Sequence, residues 1–360
     1  MKIKITARKV IWAGLWVLLL LVLRPVSFLI YVYAKDQKTL RKENMGIIQD
    51  ASNLNQVKVD TIVKVLKDPK EAIIQIRDLI KKAGEQGKSI STAGAQHTMG
   101  GHSICKHGIV LNMKTFNYMK VDTIRNLLLV GAGALWAEVI PYLEQYNKSV
   151  RVMQSNNSFS VGGSISVNYH GWQANSPPIA STVESFRLIN PSGEILNCSR
   201  IENSELFSLA LGGYGLFGVI MDLQLKITDN KTYISKQYII KSKDYFSEFK
   251  KHLKSGGGFE MAYGRINVNH DHFMEEAILS TYVLKTDMTK KNLSKNTYPA
   301  FRRTLFRASV NSDYGKNLRW SIEKMAVGVV NGREFPRNKL FGEGGRSLSK
   351  YRSRLYRYFT

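Results

Sequence analysis

The chain has 360 residues, 44% of them hydrophobic and 22% charged, enough to bury one large core or two moderate ones and unlike a disordered or fibrous composition. Its two cysteines, Cys105 and Cys198, exclude a disulfide framework and a cysteine-based zinc site, and read as buried, inert thiols. The net charge of +24 raises nucleic acid or anionic lipid as partners. Much of it sits in the flanks: residues 1–43 hold nine Lys/Arg against two Asp/Glu, and residues 331–360 hold eight against two. No helix-turn-helix, RNA-binding sheet motif or zinc finger accompanies this charge, which argues against nucleic acid and favours membrane lipid as the partner of the flanks.

At the N-terminus, Lys2, Lys4, Arg8 and Lys9 precede an apolar stretch from Val10 to Ala34, interrupted by Arg24 and Pro25. That length meets the roughly 20 residues a bilayer span needs, and Trp12, Trp16, Tyr31 and Tyr33 suit the headgroup belts. The expectation is a single-pass transmembrane helix over about 10–34. A cleaved signal peptide ending near Ala34 is the competing reading. Lys35, Lys38, Arg41 and Lys42 balance the basic residues on the other side, so the positive-inside rule leaves orientation undetermined.

From Val57 to Val65 the pattern predicts a strand. Asp68-Pro69-Lys70-Glu71 then reads as a helix start, with proline in the first turn and a capping-box acid. Ile73, Ile76, Ile80 and Ala83 form one apolar face, and Gly84 or Gly87 ends the helix. Strands are predicted at Ser89–Thr92, Ile109–Asn112 and Asn126–Val130, and a second helix from about Trp136 to Tyr146, the alternation of a small α/β unit. Further on, Ser181–Ile189 and Gly193–Cys198 read as a hairpin about Asn190-Pro191-Ser192-Gly193, and Phe217–Ile227 as a long strand, an antiparallel pattern. Lys285 to Lys295 reads as a solvated loop.

Three glycine-rich segments are candidates for chemistry. Gly131-Ala-Gly-Ala-Leu-Trp136 superficially opens like a dinucleotide fingerprint. Trp136 fills the third glycine position and no acid follows about 20 residues on, so a structural turn is favoured. The second, Ser91 to Ser103, turns consecutive N–H groups into an anion-binding nest, with Thr98 and Ser103 adding hydroxyls. The third comes in two pieces, Phe159 to Gly171 and Leu211 to Ile220, where paired glycines beside Ser164, Ser166 and Asn168 permit close approach to a flat or phosphorylated ligand.

Taken together, these pieces resemble the FAD-binding domain of the vanillyl-alcohol oxidase, or p-cresol methylhydroxylase (PCMH), superfamily, over about Val57 to Ile227. The resemblance implies an α+β fold of two subdomains, a small α/β one and an antiparallel-sheet one, with a partial C-terminal cap and, here, the N-terminal transmembrane helix. FAD is the implied cofactor. The pyrophosphate loop would comprise Ala93, Gly94, Ala95, Gln96, His97, Thr98, Gly100, Gly101, His102 and Ser103. A second loop would contribute Gly162, Gly163, Ser164, Ser166, Asn168, His170 and Gly171, and the stretch closing over the cofactor Gly213, Gly215, Gly218 and Ile220. In the family, a histidine before Ser/Thr is often bonded covalently to the flavin 8α-methyl group. His97, followed by Thr98, matches it, with an unmodified pocket residue as the alternative. The place of the second, cysteinyl bond of some members falls near Ser155 to Ser160, which holds no cysteine. His102 and His170 read as loop contacts, His107 as a surface residue, and no metal site is expected from the four.

The expected organisation is a basic N-terminus and anchor over 1–43, the FAD domain over 44–228, a partial substrate or cap domain over 229–340, and a basic tail over 341–360. Ala262–Val268 is expected as a cap strand, with Arg265 either a pocket charge or a surface residue. The tail does not read as further cap strands, which leaves an interfacial tail, truncation or a shifted reading frame. No catalytic base stands out. The implied function is a membrane-associated FAD-dependent oxidoreductase acting on a CH–OH group of a sugar, lactone or polyol-like substrate, with a small-molecule substrate and an electron acceptor as partners. A flavin-binding protein with little turnover, or a basic adaptor, is the alternative.

Overall fold

A computed structural model describes residues 12, 16, 23–36, 47–50, 55–98, 100–254, 258–285, 299–310 and 312–344. A helix over 23–36 (α1) is followed by two short antiparallel strands, β1 (Ile47–Ile48) and β2 (Val57–Lys58). The strand predicted from Val57 to Val65 is thus divided: β3 covers only Thr61–Lys64. Next come α2 (Pro69–Glu85), β4 (Ile90–Ala93) and β5 (Ile109–Asn112). Strand β5 lies between β3 and β4 and runs parallel to both. Parallel neighbours need a crossover, which α2 supplies between β3 and β4.

The start of α2 is set locally. Asp68 accepts hydrogen bonds from the N–H groups of Lys70 and Glu71 at 2.9 and 3.0 Å, a cap worth about 1 kcal/mol, and Pro69 occupies the first turn. The apolar face buries Ala72, Ile76 and Ala83. Beyond its end, Gly87 adopts φ +61° while the Lys88 N–H reaches the Ala83 carbonyl at 2.8 Å.

The second unit comprises β6 (Met119–Asp122), β7 (Leu127–Gly131), α3 (Trp136–Glu144), β8 (Lys148–Val150), α4 (Val161–Ser166), β9 (Val183–Ile189), β10 (Ile195–Ser199), α5 (Ser204–Ala210) and β11 (Val219–Asp229). Its antiparallel sheet runs β10-β9-β11-β7-β6, with β8 also on β11. The hairpin turn forms as predicted, the Asn190 side chain accepting from the N–H groups of Ser192 and Glu194. Register shifts in β11 set Asp222 opposite Arg187. There the 3%-exposed carboxylate binds the Arg187 guanidinium and accepts the Tyr118 hydroxyl. Burial, together with this carboxylate, pushes the Tyr118 phenol well above its ordinary value.

Strands β12 (Thr232–Lys241), β13 (Met261–Ile266), β14 (Glu276–Leu284) and β15 (Glu334–Pro336) form a separate antiparallel sheet in the order β13-β14-β12-β15. With it go α6 (Tyr245–Lys254), α7 (Pro299–Ala308), α8 (Asp313–Val330) and α9 (Arg337–Gly344). The strand expected over 262–268 forms as β13 and ends at Ile266, and Arg265 pairs with Glu323 of α8. The boundary expected at 340/341 falls inside α9. That helix returns to the second unit: Arg337 donates to the carbonyls of Val150 and Arg151, and Asn338 to that of Lys148. The solvated loop expected over 285–295 lies outside the described residues except for Lys285, and the tail beyond 344 lies wholly outside them.

The expected transmembrane helix and single-pass membrane localisation are corrected. Among the described residues no helix is long and apolar enough to cross a membrane. Of the segment 10–34, only residues 12, 16 and 23–34 are described. The C-terminal end of α1 is instead tied to protein: buried Asp36 accepts from Arg303 Nε at 2.5 Å and from Arg307 Nε at 2.9 Å. Phe28 and Arg24 both lie against the Tyr314 ring. A hydropathy window counts apolar side chains but not the charged partners a helix end finds in the fold.

Candidate functional site

The loop leaving β4 meets the loop entering α4. Gly94 lies so close to Ser160 that a Cβ there would stand 2.1 Å from the serine Oγ, and the same Oγ accepts the Ala95 N–H at 3.2 Å. The loop into α4 is in turn fixed to the sheet. The N–H groups of Ala137 and Trp136 donate to the carbonyls of Asn157 and Phe159, and those of Val161 and Gly162 to Ala134 and Ala132. Gly162 packs on Ala132, where a Cβ would come within 2.8 Å of the alanine Cβ. The glycines of Gly131-Ala-Gly133 are needed for packing: a Cβ on Gly133 would strike the Met113 carbonyl oxygen, which supports the structural-turn reading over a nucleotide fingerprint.

Within the β4 loop, Ala93 and Ala95 are buried, and Gln96 and Gly101 adopt φ +52° and +73°, reversing the chain as a nest requires. Among the described residues no acceptor is placed on the N–H groups of Gln96, Thr98 or Gly100. The Gly101 N–H donates to Asp50 at 2.7 Å, and the Thr98 hydroxyl lies 3.3 Å from the same carboxylate oxygen. Ser103 Oγ lies 3.5 Å from Thr98 Oγ1. A loop with three amide donors and a left-handed residue at each end fits a diphosphate, the anion that joins the two halves of FAD.

His97 lies across from Phe159, ring centroids 4.3 Å apart, with Nε2 2.7 Å from the Ser158 hydroxyl. His102 is exposed and lies against Tyr214 at 5.4 Å. That contact joins the β4 loop to the 211–218 segment, as does Gly215, whose Cβ would stand 3.4 Å from Thr92 Oγ1. The Tyr214 N–H donates to the Ser166 carbonyl at 2.9 Å, so the second glycine segment and both pieces of the third converge.

Not every expected residue faces this junction. Ser164 is 1% exposed and accepts the Trp136 indole N–H at 2.8 Å. Ser166 Oγ donates back to the Gly162 carbonyl. Ile220 sits in the sheet core, Gly218 and Gly213 are held close to the carbonyls of Ile189 and Leu209, and Gly171 to Met153. Gly163 stands next to Ser160. Asn168 accepts the Ala180 N–H and borders a cavity of about 370 Å³ that Arg200 and Phe207 also line. His170 and His107 are exposed. Cys198 is buried as expected, Cys105 only half-buried. Sequence reading missed Asp50, Asn156 and Ser158, and it put Ser160 at the start of the second loop without a role of its own. A polar run, Asn156-Asn157-Ser158, ahead of the glycine pair was the available signal.

The family model for an FAD binding domain matches residues 71–199. An oxidoreductase of the fasciation locus of Rhodococcoides fascians is 26% identical over 202 residues, 55% of this chain and 46% of its own length. L-gulonolactone oxidase of Bos taurus is 25% identical over 197 residues, 53% of this chain and 44% of its own. Mitochondrial L-galactono-1,4-lactone dehydrogenase of Brassica oleracea is 24% identical over 193 residues, 54% of this chain and 32% of its own. The chain therefore matches less than half the length of each of these relatives. On the family match, these relatives and the converging glycine loops, the chain carries an FAD binding domain of the vanillyl-alcohol oxidase and p-cresol methylhydroxylase superfamily, and FAD is its cofactor.

Proposed function

We propose that the chain is an FAD-dependent oxidoreductase that oxidises a CH–OH group of a sugar-lactone-like substrate and passes the electrons to a separate acceptor. Similarity to L-gulonolactone oxidase and L-galactono-1,4-lactone dehydrogenase supports the substrate class. The observation that carries the reading is the convergence of the β4 loop, the loop into α4 and the 211–218 segment, with amides of the β4 loop left to bind an anion. In this reading residues 44–228 hold the cofactor and 229–340 form a partial substrate cap. Trp172, which follows Gly171, meets the cap directly, its carbonyl accepting the Ala262 N–H of β13 at 2.9 Å.

FAD bound there supplies the hydride acceptor. The chain's part would be to hold and orient it: the N–H groups of Gln96, Thr98 and Gly100 would donate to the pyrophosphate, and His97 would carry a covalent link. Such a bond would replace one hydrogen of the 8α-methyl group and the hydrogen of a ring nitrogen, with two electrons and two protons leaving to the electron acceptor.

The purified full chain should release FAD on denaturation or take it up on titration. Its oxidised-flavin absorbance should bleach anaerobically on addition of L-gulono- or L-galactono-1,4-lactone. Flavin that binds but is reduced by no lactone would refute the activity and leave a flavin-binding protein. A folded protein that neither contains nor binds FAD would refute the whole reading.

A further inference from the structure

We propose that Arg337 is a positioning residue that fixes the cap sheet against the second unit, so that the cap stands as a rigid wall beside the cofactor loops and not as a mobile lid. The inference follows from where a buried cation spends its hydrogens. Arg337 is 5% exposed, and among the described residues no carboxylate pairs with its guanidinium, a costly placement unless the donors find other partners. Nε and Nη2 donate to the carbonyls of Val150 and Arg151 at 3.2 and 2.6 Å. Nη1 turns to the cap, donating to the Tyr233 hydroxyl of β12 at 3.0 Å and lying 3.7 Å from Met261 Sδ of β13. The planar fork thus holds both bodies at once, a geometry that a lysine ammonium does not copy. Burial, opposed in part by the Arg337 charge, pushes the Tyr233 phenol up to about 12. It therefore keeps its proton, which it donates to Glu260 at 2.6 Å, and a carboxylate balances the cation through one intervening hydroxyl.

The backbone around this fork is bonded from one body to the other. The Trp172 N–H donates to the Met153 carbonyl at 3.3 Å, the Trp172 carbonyl accepts from Ala262 of β13 at 2.9 Å, and the Ala174 N–H donates to the Glu260 carbonyl at 2.9 Å. Val150 and Arg151, gripped by the guanidinium, lead directly into Met153. The Arg337 charge also lies 5.2 Å from the Phe341 ring. Phe341 meets Trp172, which packs on Tyr263 and Tyr282 of the cap. Because Trp172 follows Gly171, the grip of Arg337 reaches the end of the second glycine loop through one aromatic contact. The fixed cap rests on this geometry alone; its consequence for turnover rests on the function proposed above.

Amide exchange of the full chain, read by mass spectrometry, shows whether the cap and the second unit open together. In the wild type, β12 and β13 should open with β9 and β11. Arg337→Met keeps the stem and removes the fork, so β12 and β13 should exchange about 100-fold faster, the loss of two hydrogen bonds from a charged donor, while β9 and β11 change by less than about threefold. Tyr233→Phe cuts only the cap side of the link and should speed the cap strands by about 10-fold; it decides the matter if Arg337→Met does not fold. In stopped flow, the limiting rate of flavin reduction by L-gulono- or L-galactono-1,4-lactone should fall at least about 10-fold in Arg337→Met, with FAD affinity kept within about threefold. That split separates positioning from a general loss of stability, which would weaken FAD binding in step. A wild-type cap that opens well before the second unit, cap exchange unchanged in either folded variant, an equal rise in both bodies, or an unchanged limiting rate with a loosened cap would each overturn the proposal. A wild type that binds FAD and is reduced by neither lactone would refute the activity and leave the exchange result to decide the role of Arg337, so the two failures are distinguishable.

Discussion

Gly94→Ala probes the contact on which the cofactor site depends. The new Cβ would stand 2.1 Å from Ser160 Oγ and 2.8 Å from Ser160 Cβ, closer than unbonded atoms approach, so the β4 loop and the loop into α4 must separate. Ser160 has little room to turn away, since it is 2% exposed. Overpacking of this kind costs about 1–3 kcal/mol, and loss of the Ala95 N–H bond to Ser160 Oγ adds about 1 kcal/mol. Strain present with and without cofactor appears as lower stability. Strain felt only in the cofactor-bound geometry appears as weaker FAD binding, and about 2–4 kcal/mol corresponds to roughly 30- to 1,000-fold. Thermal unfolding and FAD titration by flavin fluorescence measure the two parts. Ser160→Gly removes both clashing atoms, so the double variant should regain most of the loss, a coupling of at least about 1 kcal/mol. Gly94→Ala with unchanged melting and unchanged FAD affinity would falsify the close-approach argument.

Trp136→Phe should destabilise the second unit by about 1–3 kcal/mol, because it leaves the buried Ser164 hydroxyl without its indole donor; the urea midpoint should fall at constant slope, and Ser164→Ala should lessen the loss. Arg187→Met strands the Asp222 carboxylate, 3% exposed, with Tyr118 as its remaining partner among these three groups, so the cost should lie near the lower end of about 3–5 kcal/mol; a variant as stable as wild type in urea would refute it. Burial alone raises the Asp36 carboxyl, but the hydrogen bonds and charges of Arg303 and Arg307 more than reverse this, holding it below the usual 3.8. A depressed carboxylate stabilises the fold above its unfolded pKa and loses that contribution as pH falls through the folded one, so the contact of α1 with α7 should weaken below about pH 4. Amide exchange in α7 should show that acid transition in wild type and lose it in Asp36→Asn; an identical transition in both would assign it to other groups.

Helix α2 was legible from sequence because everything that makes it is local: the Asp68 cap, Pro69 in the first turn, and apolar residues three and four apart. The hairpin at Asn190–Gly193 was legible for the same reason, as was the cofactor, whose glycine segments keep a fixed order along the chain. What a side chain does within those segments was not. Ser164 and Ser166 look alike in sequence, yet one is turned into the core against Trp136 and the other bonds back within α4. Ser160 meets Ala95 across 65 residues, and Ser158 meets His97 across 61. Asp36 finds Arg303 across 267, a partner that no local window over an apolar helix takes into account. Local chemistry determined where the chain turns, caps and alternates, since those preferences act over a few residues. The tertiary structure decided which polar atoms are paired and which remain for a ligand, because that depends on groups brought together only when the sheets close over their core.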